Sequence, residues 1–297
     1  ILICLLLLPN MAKGQCACMN GATVSGISPL VGTANVGLLK SDYLRVMAYY
    51  SNSYGDTYYS GTNKTETGLI KEFRNSNLTL NVGYGLTDHF TAEAEIGYSI
   101  DKVQKLETYN IAANGLSYLS FMLKYNLLRF NIEKIEWTAG AGLRIPFPTD
   151  KNKPVHLNPS TGAYAIALQS FLHKGFKSSG THFILSNRFE YNFEGENNYK
   201  YGIAAINSLF FVQNLADNFS AIFELRSDYR AKDKTKGTEI PNSGSHSIVV
   251  SPQLNYNFSD FGISAMFDIP VYKNYNGSQL TNAYSFGLAL NWNYLLD

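Results

Sequence analysis

Charge is scarce in this chain of 297 residues: Asp, Glu, Lys and Arg together make up 16%, well below the roughly 25% usual in soluble domains. There is no excess of one sign, since the formal net charge is +1, and this excludes a polybasic surface for nucleic acid. Beyond residue 10 no apolar run approaches the ~20 residues that a membrane helix needs. The five histidines, His89, His156, His173, His182 and His246, form no HxxxH pair and join no carboxylates at metal spacing. No nucleophile motif stands beside any of them, so a Ser–His–acid site finds no support, and the chain is not expected to be an enzyme. Aromatics, by contrast, are plentiful at 14%, with 21 Tyr and 18 Phe.

Alternation is what the chain does have. From Phe219 to Arg230, Phe219, Ala221, Phe223, Leu225 and Tyr229 share one face while Glu224, Arg226, Asp228 and Arg230 share the other, because successive side chains on a strand point to opposite sides. About twelve segments read this way, near 41–52, 77–86, 90–100, 116–127, 133–146, 161–173, 181–193, 199–212, 218–230, 246–258, 260–272 and 283–296. In 161–173 and 199–212, Ala, Ser and Gly weaken the alternation and leave the facing open. Short links such as Thr87-Asp88-His89, Ala216-Asp217-Asn218 and Ser259-Asp260 mark one end; long segments near 52–76, 101–114, 147–160, 231–245 and 273–282 mark the other, with a short exception at Glu194-Gly195-Glu196. In outer-membrane barrels short turns are periplasmic and long loops extracellular. Tyr84, Phe90, Tyr125, Trp137, Phe211, Phe219, Phe258, Phe261 and Trp292 fall beside the expected periplasmic turns or the C-terminus, where amphipathic rings settle at the lipid–water boundary. The expected fold is therefore all-β: a closed, transmembrane, antiparallel up-and-down β-barrel in the outer membrane of a Gram-negative bacterium. A soluble barrel with its faces inverted is the rival, and the loop asymmetry and the girdle argue against it.

Three regions follow. Residues 1–14 read as a signal peptide: Ile1 to Pro9 is a short apolar core, and Ala12-Lys13-Gly14 supplies small residues for cleavage before Gln15. No initiating Met or basic flank precedes it, so the first residues of the signal are expected to be missing. Residues 15–40 are small and Gly-rich, a periplasmic N-terminal segment or a plug for the lumen, and residues 41–297 form the barrel. Cys16, Cys18 and Met19 offer soft sulfur ligands that could hold Cu(I) at the periplasmic mouth. Two thiols on a tail are the plain alternative, and Cys16 as a lipidated Cys is another, although Lys13 and Gln15 fit a lipobox poorly. No cofactor is expected.

The polar positions that the alternation turns inward are Arg45, Glu93, Glu95, Lys124, Glu136, Arg144, Arg188, Glu190, Glu224, Arg226, Asp228, Arg230 and Asp268. Unpaired charge in a narrow lumen is costly, so these groups should pair across strands or line water. A structural network that fills the barrel and a selectivity lining for a polar solute are both consistent with them. The expected function is a porin-like outer-membrane channel or transporter for small solutes, touching membrane lipid and solute but no nucleic acid. The alternative is a non-conducting structural or partner-binding barrel.

The hairpin Gly83 to Tyr98 (GYGLTDHFTAEAEIGY) resembles one that recurs in the outer-membrane proteins of the meta-pathway phenol-degradation family, and Leu254 to Tyr272 (LNYNFSDFGISAMFDIPVY) is similar to the same group. The resemblance covers most of residues 41–296 and has a Bacteroidetes-like look in its Tyr and Asn content. It implies an outer-membrane β-barrel with a role in uptake of small, including aromatic, molecules, and no catalytic residues. The final strand, with Phe286, Leu288, Leu290, Trp292 and Tyr294 in alternation, resembles the signal read by the barrel assembly machinery during biogenesis, ending in Leu-Leu-Asp in place of a final aromatic.

Overall fold

A computed structural model describes residues 15–16, 37–66, 68–130, 135–176 and 179–296. Twelve antiparallel strands close into a barrel. They are β1 (Tyr43–Gly55), β2 (Ile70–Thr87), β3 (Phe90–Leu106), β4 (Asn110–Phe130), β5 (Ile135–Pro146), β6 (Ala165–Phe176), β7 (Thr181–Asn192), β8 (Ala204–Ala216), β9 (Phe219–Arg230), β10 (Ser245–Phe258), β11 (Phe261–Thr281) and β12 (Tyr284–Leu295). Each pairs with its neighbours in sequence, and β12 returns to β1 in register from Tyr284 opposite Tyr54 to Leu295 opposite Tyr43. Closure leaves no sheet edge in the barrel wall, which lipid could not satisfy with hydrogen bonds.

The facing follows the alternation. Phe223 and Leu225 are exposed while Glu224 and Arg226 are buried. The two ambiguous segments resolve in the same way: Ala165, Ala167 and Phe171 turn inward and Ile166, Leu168 and Leu172 outward, and on β8 Ser208, Phe210 and Val212 turn inward and Leu209 and Phe211 outward. The outward residues form a continuous band of Leu, Ile, Phe and Tyr. Exposed apolar surface of this extent belongs in lipid. A charge placed there at mid-depth costs about 2–4 kcal/mol, so Leu225→Arg is expected to lower the yield of folded protein in lipid vesicles, measured by heat-dependent gel mobility, while Arg226-facing positions are untouched.

Strand ends differ from the sequence reading on the long-loop side. The segment 101–114 is not a loop: β3 and β4 continue as a hairpin to a turn at 107–109, closed by the Leu106 N–H donating to the Tyr109 carbonyl at 2.9 Å. β2 likewise begins at Ile70, inside the segment read as loop, and β11 continues through 273–281. Above the membrane both faces of a strand meet polar surroundings, so the period-two signal fades although the ladder persists. The short exception at 194–196 is part of a longer link, 193–203, between β7 and β8.

Two lids cover the long-loop end. Tyr58, Ile70, Phe73 and Leu280 form one buried cluster. Links 193–203 and 231–244 form the other, joined by a small sheet of Tyr199–Lys200, Lys234–Thr235 and Thr238–Glu239, with Ala163, Tyr199 and Tyr201 buried against Val155 and Ile240. The fit is tight at Gly202, where a Cβ would stand 1.9 Å from the Ala231 carbonyl oxygen. At the short-turn end the chain enters across the mouth: Leu39 is buried, its N–H donates to Thr91 Oγ1 at 2.9 Å, and a Cβ on Gly85 would stand 1.8 Å from the Lys40 carbonyl oxygen.

Residues 1–14, read from the sequence as a signal peptide, lie outside the described residues, as do Cys18 and Met19. The backbone of Gln15–Cys16 is described, and it corrects one expectation. It pairs in parallel with Gln279–Leu280 at the long-loop end, not at the periplasmic mouth.

Candidate functional site

The inner wall carries the chemistry. All thirteen inward positions named from the sequence stand on the inner face of their strands, and the tilt of the strands stacks them in tiers. At the periplasmic mouth Glu136 accepts from Arg129 at 3.3 Å and from Asn126 Nδ2 at 3.4 Å. One tier up, Glu93 receives both Arg45, at 2.8 Å, and Lys124, at 2.7 Å, while the Lys124 ammonium stands over the Phe171 ring at 5.1 Å. Charge-assisted bonds of this length are the strong ones. Above them Glu95 accepts from the Tyr118 hydroxyl at 2.6 Å and from Asn81 Nδ2 at 3.5 Å. Arg144 Nη1 lies 2.6 Å from Glu190 Oε1, off the hydrogen-bonding direction, and Arg144 Nη2 donates to Asn192 Oδ1 at 2.6 Å. Arg188 reaches Glu190 only at 4.0 Å.

The facing wall, β9 to β11, is organised around one cation. Arg226 contacts Asp268 at 2.6 Å, Asp228 at 3.1 Å and Glu224 at 3.4 Å. Glu224 also accepts from Ser208 Oγ at 2.7 Å and from Gln253 Nε2 at 3.0 Å. One Arg among three carboxylates leaves that wall acid-rich. The tier above belongs to a lid: Arg230 pairs with Asp233 at 3.1 Å, and Asp233 accepts as well from the Tyr199 hydroxyl at 2.6 Å and the Gly202 N–H at 2.8 Å. Burial and then the Asp233 carboxylate push the Tyr199 phenol well above its ordinary range.

The structure thus brings the thirteen residues into six groups of contacts and adds members the sequence reading missed. Asp233 lies in a link without periodicity, so nothing local marks it. Tyr118, Asn81 and Gln253 are inward polar residues on strands whose alternation was read, and their facing alone could have found them, whereas Ser208 lies on a segment whose facing alternation leaves open. His182 belongs with the former and His173 with the latter. The β6–β7 register sets them side by side, Nε2 to Nδ1 at 2.9 Å with stacked rings, near the periplasmic end. Among the described residues no three His, Cys, Asp or Glu side chains gather as metal ligands. Cys16 has only its backbone described, so the Cu(I) set is not assembled here.

A family model described as "Putative MetA-pathway of phenol degradation" matches residues 55–290. The chain belongs to this family. The match spans strands β2 to β11 entire, and it agrees with the hairpin resemblance seen in the sequence. No curated protein matches the chain. Among solved structures, an outer membrane channel from Pseudomonas putida F1 is similar over 89% of this chain and 100% of its own, at 13% identity and a TM-score of 0.77. The translocator domain of the autotransporter NalP from Neisseria meningitidis covers 87% of this chain and 90% of its own, at 12% identity and a TM-score of 0.46. The NanC porin covers 83% and 98%, at 9% identity and a TM-score of 0.49. At these identities the first likeness speaks for the fold. With the family and the lipid-facing band it places this phenol-degradation family member in the bacterial outer membrane.

Proposed function

We propose that the protein is an outer-membrane channel for small solutes whose inward charges set what passes. One observation carries the reading: the interior of the barrel is lined chiefly by ion-paired and hydrogen-bonded side chains, interrupted by two small apolar clusters, one of Met47, Tyr49, Met266 and Ala289 and one of Ile184, Phe210, Val212 and Ile222. Burying this many ions costs several kcal/mol each before pairing, and a purely structural filling is achieved more cheaply with apolar side chains. Charges of opposite excess on facing walls suit a path along which a polar solute exchanges its water for protein groups. The family description and the printed name of the Pseudomonas putida F1 structure support the same reading. No catalytic step is assigned to it. Assembly by the barrel assembly machinery through β12 belongs to the same proposal.

The lids favour a second reading, a barrel that does not conduct, because the long-loop end is closed by buried clusters. Conductance of the purified, refolded protein in planar bilayers separates the two. We expect channels far smaller than those of an open porin, with liposome swelling confined to the smallest sugars and acids. Residues 15–40 enter the same test. Gln15–Cys16 is held at one end of the barrel and Gly37–Lys40 at the other, which supports their role as a plug, and deleting 16–36 is expected to raise conductance. A folded barrel that stays silent both intact and with 16–36 deleted establishes the non-conducting reading.

A further inference from the structure

Among the six strands from β2 to β7 the lumen leaves a cavity with about 30 Å³ of free space, lined by Asn81, Glu95, Arg144, Gln169, Arg188 and Met122 among others. That is room for about two water molecules or the two oxygens of one carboxylate. The charges around it do not cancel. Glu93 sits between Arg45 and Lys124, Glu190 sits against Arg144, and Glu95 is held by the Tyr118 hydroxyl and the Asn81 amide. Four cations, Arg45, Lys124, Arg144 and Arg188, thus meet three carboxylates, and one positive charge is left over. Contact leaves Arg188 the least engaged of the four: Arg45 and Lys124 share Glu93 and Arg144 stands against Glu190, all at 2.6–2.8 Å, whereas Arg188 lies 4.0 Å from Glu190 and faces Glu95 without touching it. Its Nε is buried, with no hydrogen-bond acceptor among the described residues, and so is that of Arg144. A buried donor without an acceptor is costly, and a guanidinium fork matches a carboxylate in shape as well as charge.

We propose that this cavity is a binding station for the carboxylate of a small organic acid, with Arg188 as its anchor and Gln169 and Ser120 as polar neighbours, the acid's carbon body lying along Met122 and Ala167. The assignment deepens the channel reading, because it names the class of solute that pauses in the lumen. It does not need the channel to conduct in order to be tested. The electrostatics also predict which neighbour opposes the ligand. Glu95 borders the same cavity and carries a like charge to the acid, so neutralising it should strengthen binding.

The experiment uses the full chain refolded in micelles, with glycolate as the probe, glycolamide as its uncharged counterpart, and saturation-transfer NMR as the readout. Wild type is expected to bind glycolate saturably and glycolamide not at all. Arg188→Gln is expected to weaken binding by about tenfold or more, Arg188→Lys to fall between because it keeps the charge and loses the fork, and Glu95→Gln to tighten it. Among the described residues Arg188 makes one ion pair, at 4.0 Å, and otherwise acts on Glu95 only at longer range, so these variants should keep heat-dependent gel mobility; Arg188→Lys carries the test should Arg188→Gln fail to fold. Absence of glycolate binding in wild type, or equal binding in folded wild type and Arg188→Gln or Arg188→Lys, overturns the station. Displacement by chloride as effective as by acetate overturns the carboxylate assignment in favour of general anion attraction. In bilayers the same variants read the channel: glycolate should reduce chloride current in wild type and less so in Arg188→Gln. Binding by NMR without any current sinks the channel reading and leaves the station standing.

Discussion

Arg226→Met is expected to abolish recovery of folded barrel, while Glu224→Gln leaves it largely intact. The asymmetry comes from the count of partners. Arg226 touches Asp268, Asp228 and Glu224 within 3.4 Å, and all four side chains are nearly or fully buried. Removing one partner of a buried pair costs about 3–5 kcal/mol, because an uncompensated charge stays behind. Here three carboxylates are left together, each repelling the others. Removing the Glu224 charge instead leaves Arg226 with two acids, and the glutamine can still accept from Ser208 Oγ, which donates to Glu224 at 2.7 Å. A second change decides whether the effect is electrostatic. Arg226→Met with Asp268→Asn and Glu224→Gln removes the excess and should restore part of the yield. Refolding into lipid vesicles, followed by the heat-dependent shift in gel mobility and by urea titration, gives the comparison. Equal stability of Arg226→Met and wild type shows that water reaches these acids freely and that the hub is not buried in solution.

The twelve strands, the facing of ten of them and the short-turn end were legible because one rule, alternation, governs the residues that cross lipid; in 161–173 and 199–212 small Ala, Ser and Gly residues blurred it. Where the rule lapses, legibility lapses with it. The hairpin tip between β3 and β4 was read as loop because Lys102, Gln104 and Asn110 meet polar surroundings on either face, yet the ladder runs through them. The thirteen inward charges were legible singly, since facing is local. Their pairing was legible only where partners share a strand, as Arg226 and Asp228 do, and not where they join separated strands: Arg45 and Glu93 are on β1 and β3, and Arg226 and Asp268 on β9 and β11. Register and barrel tilt decide those meetings, and no single segment encodes them. The carboxylate station depends on the same information, because Arg188 stands out only once every other cation has been given its partner. His173 and His182 show the intermediate case: two adjacent strands joined by one link fix their meeting, and counting back from that link would have set them together.

Asp233→Ala is expected to open the long-loop end and raise single-channel conductance severalfold without harming assembly. Asp233 binds three donors at once: the Tyr199 hydroxyl, the Gly202 N–H and Arg230. These tie link 231–244 to link 193–203 and both to the end of β9. Each charged hydrogen bond is worth about 1.5–3 kcal/mol, and every 1.4 kcal/mol is about a factor of ten in the ratio of closed to open. Loss of two or three such bonds therefore shifts that ratio by about a hundredfold or more. The lid lies beyond the lipid-spanning wall, so the barrel itself is spared, unlike the case of Arg226. Asp233→Asn keeps an acceptor and loses the charge, and its conductance should fall between. Alkaline pH gives an independent handle on the same bond. The Tyr199 phenol is held above its ordinary range by burial and by Asp233, so its contribution to closure is complete below the ordinary phenol value near pH 10 and is lost progressively as the pH rises beyond it. Wild-type conductance should accordingly be flat from about pH 7 to 9 and climb above about pH 10, whereas Tyr199→Phe, which cannot ionise, should lack the climb. A conductance of Asp233→Ala equal to wild type shows that the lid is not the barrier to passage, and leaves the tiers of charge below it as the narrowest part of the path.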